Sequence, residues 1–124
     1  MGDEKVRKVL KNFGLTKKET DIYIFLAKHG VQRSGEIAKK TRTHRAEVYR
    51  ILKRLQTKGL VQPTLESPTR FTTVPFETVI DSFIKTKREE AASLESTKRD
   101  LLEDWKIISR HEPEPQLERE NNHA

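Results

Sequence analysis

Apolar residues along the chain change their period several times, and each change marks an element. Val6, Val9, Leu10 and Phe13 recur at helical spacing and stop at Gly14, which predicts a short opening helix closed by glycine. Thr16-Lys17-Lys18-Glu19 has the form of a capping box, in which hydroxyl and carboxylate satisfy orphan N–H groups at a helix start. Ile22, Tyr23, Phe25 and Leu26 supply the buried stripe of that second helix, and His29-Gly30 ends it. Ser34 is placed as the N-cap of a two-turn helix through Lys40, a polar turn follows from Thr41 to Thr43, and a longer helix is expected from His44 to Lys58, closed by Gly59.

Beyond Gly59 the period shortens to that of strands. Leu60-Val61-Gln62 and Arg70-Phe71-Thr72-Thr73-Val74 flank a turn at Glu66-Ser67-Pro68-Thr69, predicting a hairpin directly after a helix. Pro75 suits the first turn of a last helix. From Ile80 the positions Ile80, Ile84, Lys87, Ala91, Leu94, Lys98, Leu101, Trp105 and Ile108 alternate steps of four and three, the spacing of a coiled-coil seam. The expected fold is mainly α with a small β-hairpin: a winged helix-turn-helix followed by a long C-terminal coiled-coil helix. The expected divisions are a winged domain over 1–75, a dimerisation helix over 76–110 and a disordered acidic and polar tail over 111–124, where Pro113 and Pro115 stand among glutamates.

Charge turns this architecture toward nucleic acid. The 124 residues carry 25 Lys and Arg against 19 Asp and Glu, a net charge of +6, which favours a polyanionic partner. From residue 39 to 58 the cations Lys39, Lys40, Arg42, Arg45, Arg50, Lys53, Arg54 and Lys58 face one acid, Glu47. On a helical wheel of the segment His44 to Lys58, Val48, Ile51, Leu52 and Leu55 gather on one side. Ala46, Arg50, Lys53 and Thr57 project from the other, flanked by Thr43, Tyr49 and Arg54. This is the helix a winged helix-turn-helix lays in the major groove, where Arg forks onto guanine and Lys pairs with phosphate. Thr43, His44 and Arg45 stand at its N-terminus, where backbone N–H groups also favour phosphate. Ser34 at the start of the preceding helix and Arg70 on the hairpin complete the expected DNA-contacting set. The expected dimer seam is Ile80, Ile84, Ala91, Leu94, Leu101, Trp105 and Ile108.

Several classes of function are set aside. With no cysteine there is no thiolate metal site, disulfide or cysteine nucleophile, and the histidines are too scattered to suggest a metal; no cofactor is expected. There is no glycine-rich phosphate loop and no nucleophile with a base at motif spacing, so the chain is not expected to be an enzyme. No stretch approaches the ~20 apolar residues of a membrane span, and no leader is evident, so a cytoplasmic protein with no membrane partner is expected.

The segments Leu10–Glu19 with Tyr23 and Leu26, Ser34–Ala38, Val48–Leu55, Lys58–Val61, and Arg70-Phe71 leading to Val74–Glu77 form an ordered set over roughly residues 5 to 80. In this set the chain resembles the winged-helix domain of the TrmB family of transcription regulators, best known from archaea. The resemblance implies sequence-selective binding of double-stranded DNA, commonly as a dimer, with the helix His44 to Lys58 as reader. Many members continue into a large domain that binds a sugar or similar effector. This chain ends after one long helix and a polar tail, so a small-molecule effector is in doubt, and single-domain relatives with a dimerising last helix are the closer match. The alternative function is a protein-interaction adaptor in a transcription or other assembly, using the same surfaces.

Overall fold

The computed structural model describes residues 2–111 and 113. Its elements run α1 (Asp3–Asn12), α2 (Lys17–His29), α3 (Ser34–Thr41), α4 (Arg45–Thr57), β1 (Val61–Pro63), β2 (Phe71–Thr73) and α5 (Phe76–Ile108). This is the winged helix-turn-helix with a long last helix that the hydrophobic pattern predicts. The proposed tail lies almost entirely outside the described residues.

Local chemistry explains most boundaries. Gly14 and Gly59 take positive φ (91° and 84°) after α1 and α4, and each lets the next amide fold back onto the helix: Leu15 N–H donates to the Leu10 carbonyl at 3.1 Å, and Leu60 N–H to Leu55 at 2.9 Å. Arg42 makes the same closure after α3 without being glycine, at φ 54°, with Thr43 N–H donating to Ala38 at 3.0 Å. The box at Thr16 forms as predicted, its Oγ1 accepting from Glu19 N–H at 3.1 Å and its own N–H donating to Glu19 Oε1 at 3.0 Å.

Some boundaries move. The cap of α3 is Arg33, not Ser34; Glu36 Oε1 accepts the Arg33 amide at 2.9 Å, and Ser34 is the first helical residue. A carboxylate three residues inside the helix does the work expected of the serine. Pro75 precedes α5, and its carbonyl accepts the Val79 amide at 3.2 Å. The ladder is shorter than predicted because Leu60 is spent on closing α4, although its carbonyl still accepts from Val74 at 2.9 Å.

By contact density the chain divides into two compact units, residues 1–85 and 86–124. In the first, α2 lies at the centre, packed against α1, α3, α4 and β2. Ile22, Tyr23 and Leu26 are buried as expected and Phe25 half-buried, while Ile24, outside the predicted stripe, is buried as well, because neighbours surround α2 on several sides. Val48, Ile51, Leu52 and Leu55 of α4 enter the same core, joined by Leu10, Ile37, Leu60 and Phe71. The hairpin pairs Val61 with Thr73 and Pro63 with Phe71, and Gln32 adds an outer bridge, exchanging both backbone bonds with Phe71 at 3.0 and 2.7 Å. The opening turns of α5 belong to this unit: Val79 and Phe83 are buried, and the Phe83 ring stacks on Phe13 with centroids 3.7 Å apart. In the second unit every residue of α5 from 86 to 108 is exposed.

Candidate DNA-binding interface

The helix α4 carries its cations in two environments. On the outer face Ala46, Tyr49, Arg50, Lys53 and Thr57 are all exposed, as the wheel predicts. The Lys53 ammonium lies 5.6 Å from the Tyr49 ring centroid, a cation–π contact that holds both side chains along the surface. Glu47, the single acid of α4, turns toward α2, where Lys18 Nζ approaches its Oε1 at 3.6 Å. The outer face therefore keeps its positive charge undiluted.

Along the inner edge, Arg54 and Lys58 converge on Glu19 of α2. Arg54 Nε donates to Glu19 Oε2 at 2.7 Å, and Lys58 Nζ to Glu19 Oε1 at 3.1 Å and to the Gly14 carbonyl at 3.2 Å. Glu19 is 2% exposed. Desolvation pushes its carboxyl pKa up, but hydrogen bonds from Arg54, the Thr16 amide and Lys58 outweigh that, so it titrates below the ordinary glutamate range. One residue thus caps α2 and ties α4 to it. The sequence reading saw only the cap; the tie joins residues 35 and 39 positions apart, a distance that periodicity does not span. Arg54, expected on the DNA-contacting surface, has its Nε committed to this tie.

At the other end of α4, His44 is the N-cap residue and Arg45 opens the helix, both exposed. The Arg45 guanidinium lies over the backbone of Gly35: a methyl group there would come within 3.1 Å of its terminal nitrogen. Gly35 leaves the room this arginine occupies. Ser34, Arg33 and Arg45 line a polar hollow of about 360 Å³ together with Pro68 and Thr69 of the hairpin turn, so the structure gathers the start of α3, the start of α4 and the wing around one space. Arg33 was missed in the sequence reading, where it stands outside the basic run that begins at Lys39. Thr43 is half-buried, its hydroxyl donating to the Thr41 carbonyl at 3.2 Å. Arg70 extends from the hairpin, with Nε 4.0 Å from the exposed Glu66 carboxylate.

Within the expected seam the structure separates one residue from the rest. Ile80 is half-buried against the core of its own winged unit. Ile84, Ala91, Leu94, Leu101, Trp105 and Ile108 are exposed, as are Leu102 and Ile107 beside them.

Solved structures share this architecture. TrmBL2, described as an archaeal chromatin protein that shows a novel mode of DNA binding, matches 90% of this chain with a TM-score of 0.65 and 22% identity. This chain spans 46% of the length of TrmBL2. The transcriptional regulator Tm0710 from Thermotoga maritima matches with a TM-score of 0.52 and 22% identity, covering 85% of this chain and 86% of its own. A MarR family protein from Bacillus stearothermophilus matches at 0.51 and 18%, covering 87% and 85%. At these identities the likeness is one of fold. Among curated proteins none matches this chain. The profile of the family described as "Sugar-specific transcriptional regulator TrmB" matches residues 10–77, more than half of the sequence, and the chain therefore belongs to the TrmB family of winged-helix transcription regulators.

Proposed function

We propose that this chain is a sequence-selective regulator of transcription that binds double-stranded DNA as a homodimer in the cytoplasm. The observation that carries the reading is the outer face of α4, where Arg50 and Lys53 are exposed and the helix's one acid is drawn aside by Lys18. In a major groove such a face places Arg50 to fork onto a guanine edge and Lys53 to neutralise phosphate. Arg33, Ser34, His44 and Arg45, around the helix starts, are suited to the flanking backbone, and Arg70 on the hairpin to phosphate or the minor groove. The small side chain of Ala46 leaves room for close approach of a base edge or thymine methyl.

Dimerisation is supported by the exposed aliphatic residues of α5. Leu94 is 62% and Ile108 69% exposed, and a run of such residues at seam spacing usually marks an interface. Two copies joined through residues 84–108 would present two reader helices to one duplex, and the paired sites would bind far more tightly than one.

Selection of bound duplexes from a random pool, followed by titration of the winner at several salt concentrations, tests the reading. A regulator touching about six phosphates should show log K falling against log salt with a slope near −5, and should prefer the selected duplex over a scrambled one. A flat salt response with no enriched sequence would instead favour a protein-interaction adaptor.

A further inference from the structure

The apolar seam of α5 is interrupted, and the interruptions bear on what can cover it. Among its exposed positions from Ile84 to Ile108, Lys87 and Lys98 stand where hydrocarbon is expected, and Ala91 and Trp105 are the smallest and the largest side chains of the set. A helix pair of parallel sense sets each seam residue against its own copy. Lys87 would then meet Lys87 and Lys98 meet Lys98, two like-charged pairs drawn out of water. Ala91 against Ala91 would leave a void, and Trp105 against Trp105 would crowd its neighbours. On the flank Glu90 would come opposite Glu95 of the second copy, again like against like.

Reversing one helix removes the seam conflicts in a single register. With Ile84 opposite Ile108, the inner layers become Lys87 with Trp105, Ala91 with Leu101 and Leu94 with Lys98, each occurring twice about the two-fold axis. Small then meets large at Ala91, and a cation meets an indole at Trp105. Lys87, 3.6 Å from Glu90 on its own helix, gains Asp104 of the second copy on its other side. At the centre the two Glu95 carboxylates approach each other, and the Lys98 of each helix comes beside the Glu95 of the other to neutralise them. Sliding the pair by one heptad spoils the match: one direction opposes Lys87 to Lys98, and the other sets Ile84 against residues beyond the end of the helix. We infer that a second copy of this chain lies antiparallel along α5, in the register that pairs Ile84 with Ile108. The inference rests on the dimer reading above and fixes its sense and register.

Because the chain has no cysteine, introduced ones report single contacts. Full-length Ile84→Cys and Ile108→Cys proteins, one carrying an affinity tag, are mixed in equal amounts and oxidised in a glutathione buffer. The disulfide between the two different variants should exceed either like-with-like product at least about tenfold. Spin labels attached through Thr86→Cys should lie at least about 10 Å farther apart in the dimer than labels attached through Ser96→Cys, since the antiparallel pair separates the two Thr86 positions by about 30 Å along its axis and brings the two Ser96 positions level. If wild type sediments as a dimer while like-with-like disulfides prevail, or while the two label separations are equal, the sense of pairing is overturned and the dimer reading stands. A dimer that yields neither kind of disulfide overturns the register. Wild type that sediments as a monomer at high micromolar concentration overturns both the inference and the dimer reading.

Discussion

In the winged unit a carboxylate, Glu19, is nearly sealed from solvent, while in the second unit leucines and isoleucines stand open to it. Both reverse the usual placement of their residue types. Glu19 is tolerated inside because two cations and an amide converge on it, replacing the water it gave up. Leu94, Leu101 and Ile108 have no such compensation among the described residues of their own unit, and apolar area exposed on this scale is what a second helix would remove from water. The first anomaly is resolved inside the chain; the second is not resolved among the described residues, and the proposed dimer would resolve it.

The sharpest way to break that contrast is to charge the open side. Leu94→Glu with Leu101→Glu should convert a dimer to monomers, because two carboxylates in an apolar seam cost several kcal/mol. Operator affinity should then fall by about 10²- to 10⁴-fold, the gain normally made by tethering two binding modules. Sedimentation equilibrium and shift assays on the same preparation check both halves. A wild-type chain that is monomeric at high micromolar concentration, or a double mutant that stays dimeric, would remove α5 from the interface. Melting of the winged core should change little, since neither leucine belongs to that unit.

Charge removal on the closed side should be smaller in effect and of another kind. Glu19→Ala leaves Arg54 and Lys58 facing each other without their acid and is expected to cost about 2–3 kcal/mol of folding stability, or roughly 10–20 °C in melting temperature for a domain of this size. Glu19→Gln, which keeps an acceptor, should cost about half as much. The pH dependence has a definite sign. Because the folded pKa of Glu19 lies below the ordinary value of 4.5, its contribution is fully present above that value and lost as pH falls through the folded value. Asp21 acts in the same direction: desolvation raises its pKa, and hydrogen bonds from Arg7 and Lys17 overcome this to lower it. Denaturant midpoints from pH 3 to 6 should therefore rise with pH in wild type and rise less steeply in Glu19→Gln. Equal slopes would mean that the tie adds nothing beyond the cap.

Two arginines of α4 bring the contrast down to single side chains. Arg50→Ala should weaken specific binding by about 1–3 kcal/mol and relax base preference at one position, with folding unchanged. Arg54→Ala should lower stability by about 1–2 kcal/mol through the loss of its bond to Glu19, with a loss of affinity similar on operator and scrambled duplex. Paired melting curves and shift assays separate the two outcomes. If Arg54→Ala changed base preference while leaving the melt untouched, the tie would be incidental and Arg54 a reader.

How much of this was legible beforehand follows from the range of the interactions involved. The helices, the hairpin and the outer face of α4 were readable because each rests on a local period or a local hydrogen bond: seam spacing, the Thr16 box, the closures at Gly14 and Gly59. What escaped is long-range or locally degenerate. Ser34 and Glu36 both announce a helix start, and the sequence does not say that the carboxylate prevails. Arg50 and Arg54 are the same residue type one turn apart, and what distinguishes them is Glu19 on another helix. Ile80 fits the seam by spacing, yet packs against its own unit.

The smallest expected effect lies on the wing. Arg70 and Glu66 are both exposed, and their closest approach of 4.0 Å is at the limit of an ion pair, so the pair should contribute little to folding. What holds the hairpin there is backbone: Thr64 N–H donates to the Arg70 carbonyl at 2.8 Å, and Arg70 N–H to Thr64 Oγ1 at 3.1 Å, bonds an alanine keeps. Arg70→Ala should thus shift stability by less than about 0.5 kcal/mol. If the guanidinium meets phosphate, affinity should drop modestly on every duplex alike, and the slope of log K against log salt should become shallower by about one unit. If it enters a minor groove, the drop should depend on whether the flanking sequence is rich in A·T pairs, because groove width and potential vary with those pairs. Titrations on operators with A·T-rich and G·C-rich flanks, each at several salt concentrations, distinguish the two contacts. A melt lowered by several degrees, with both slopes unchanged, would make Arg70 a structural residue of the turn and leave the starts of α3 and α4 as the remaining candidates for backbone contact beside the reader helix.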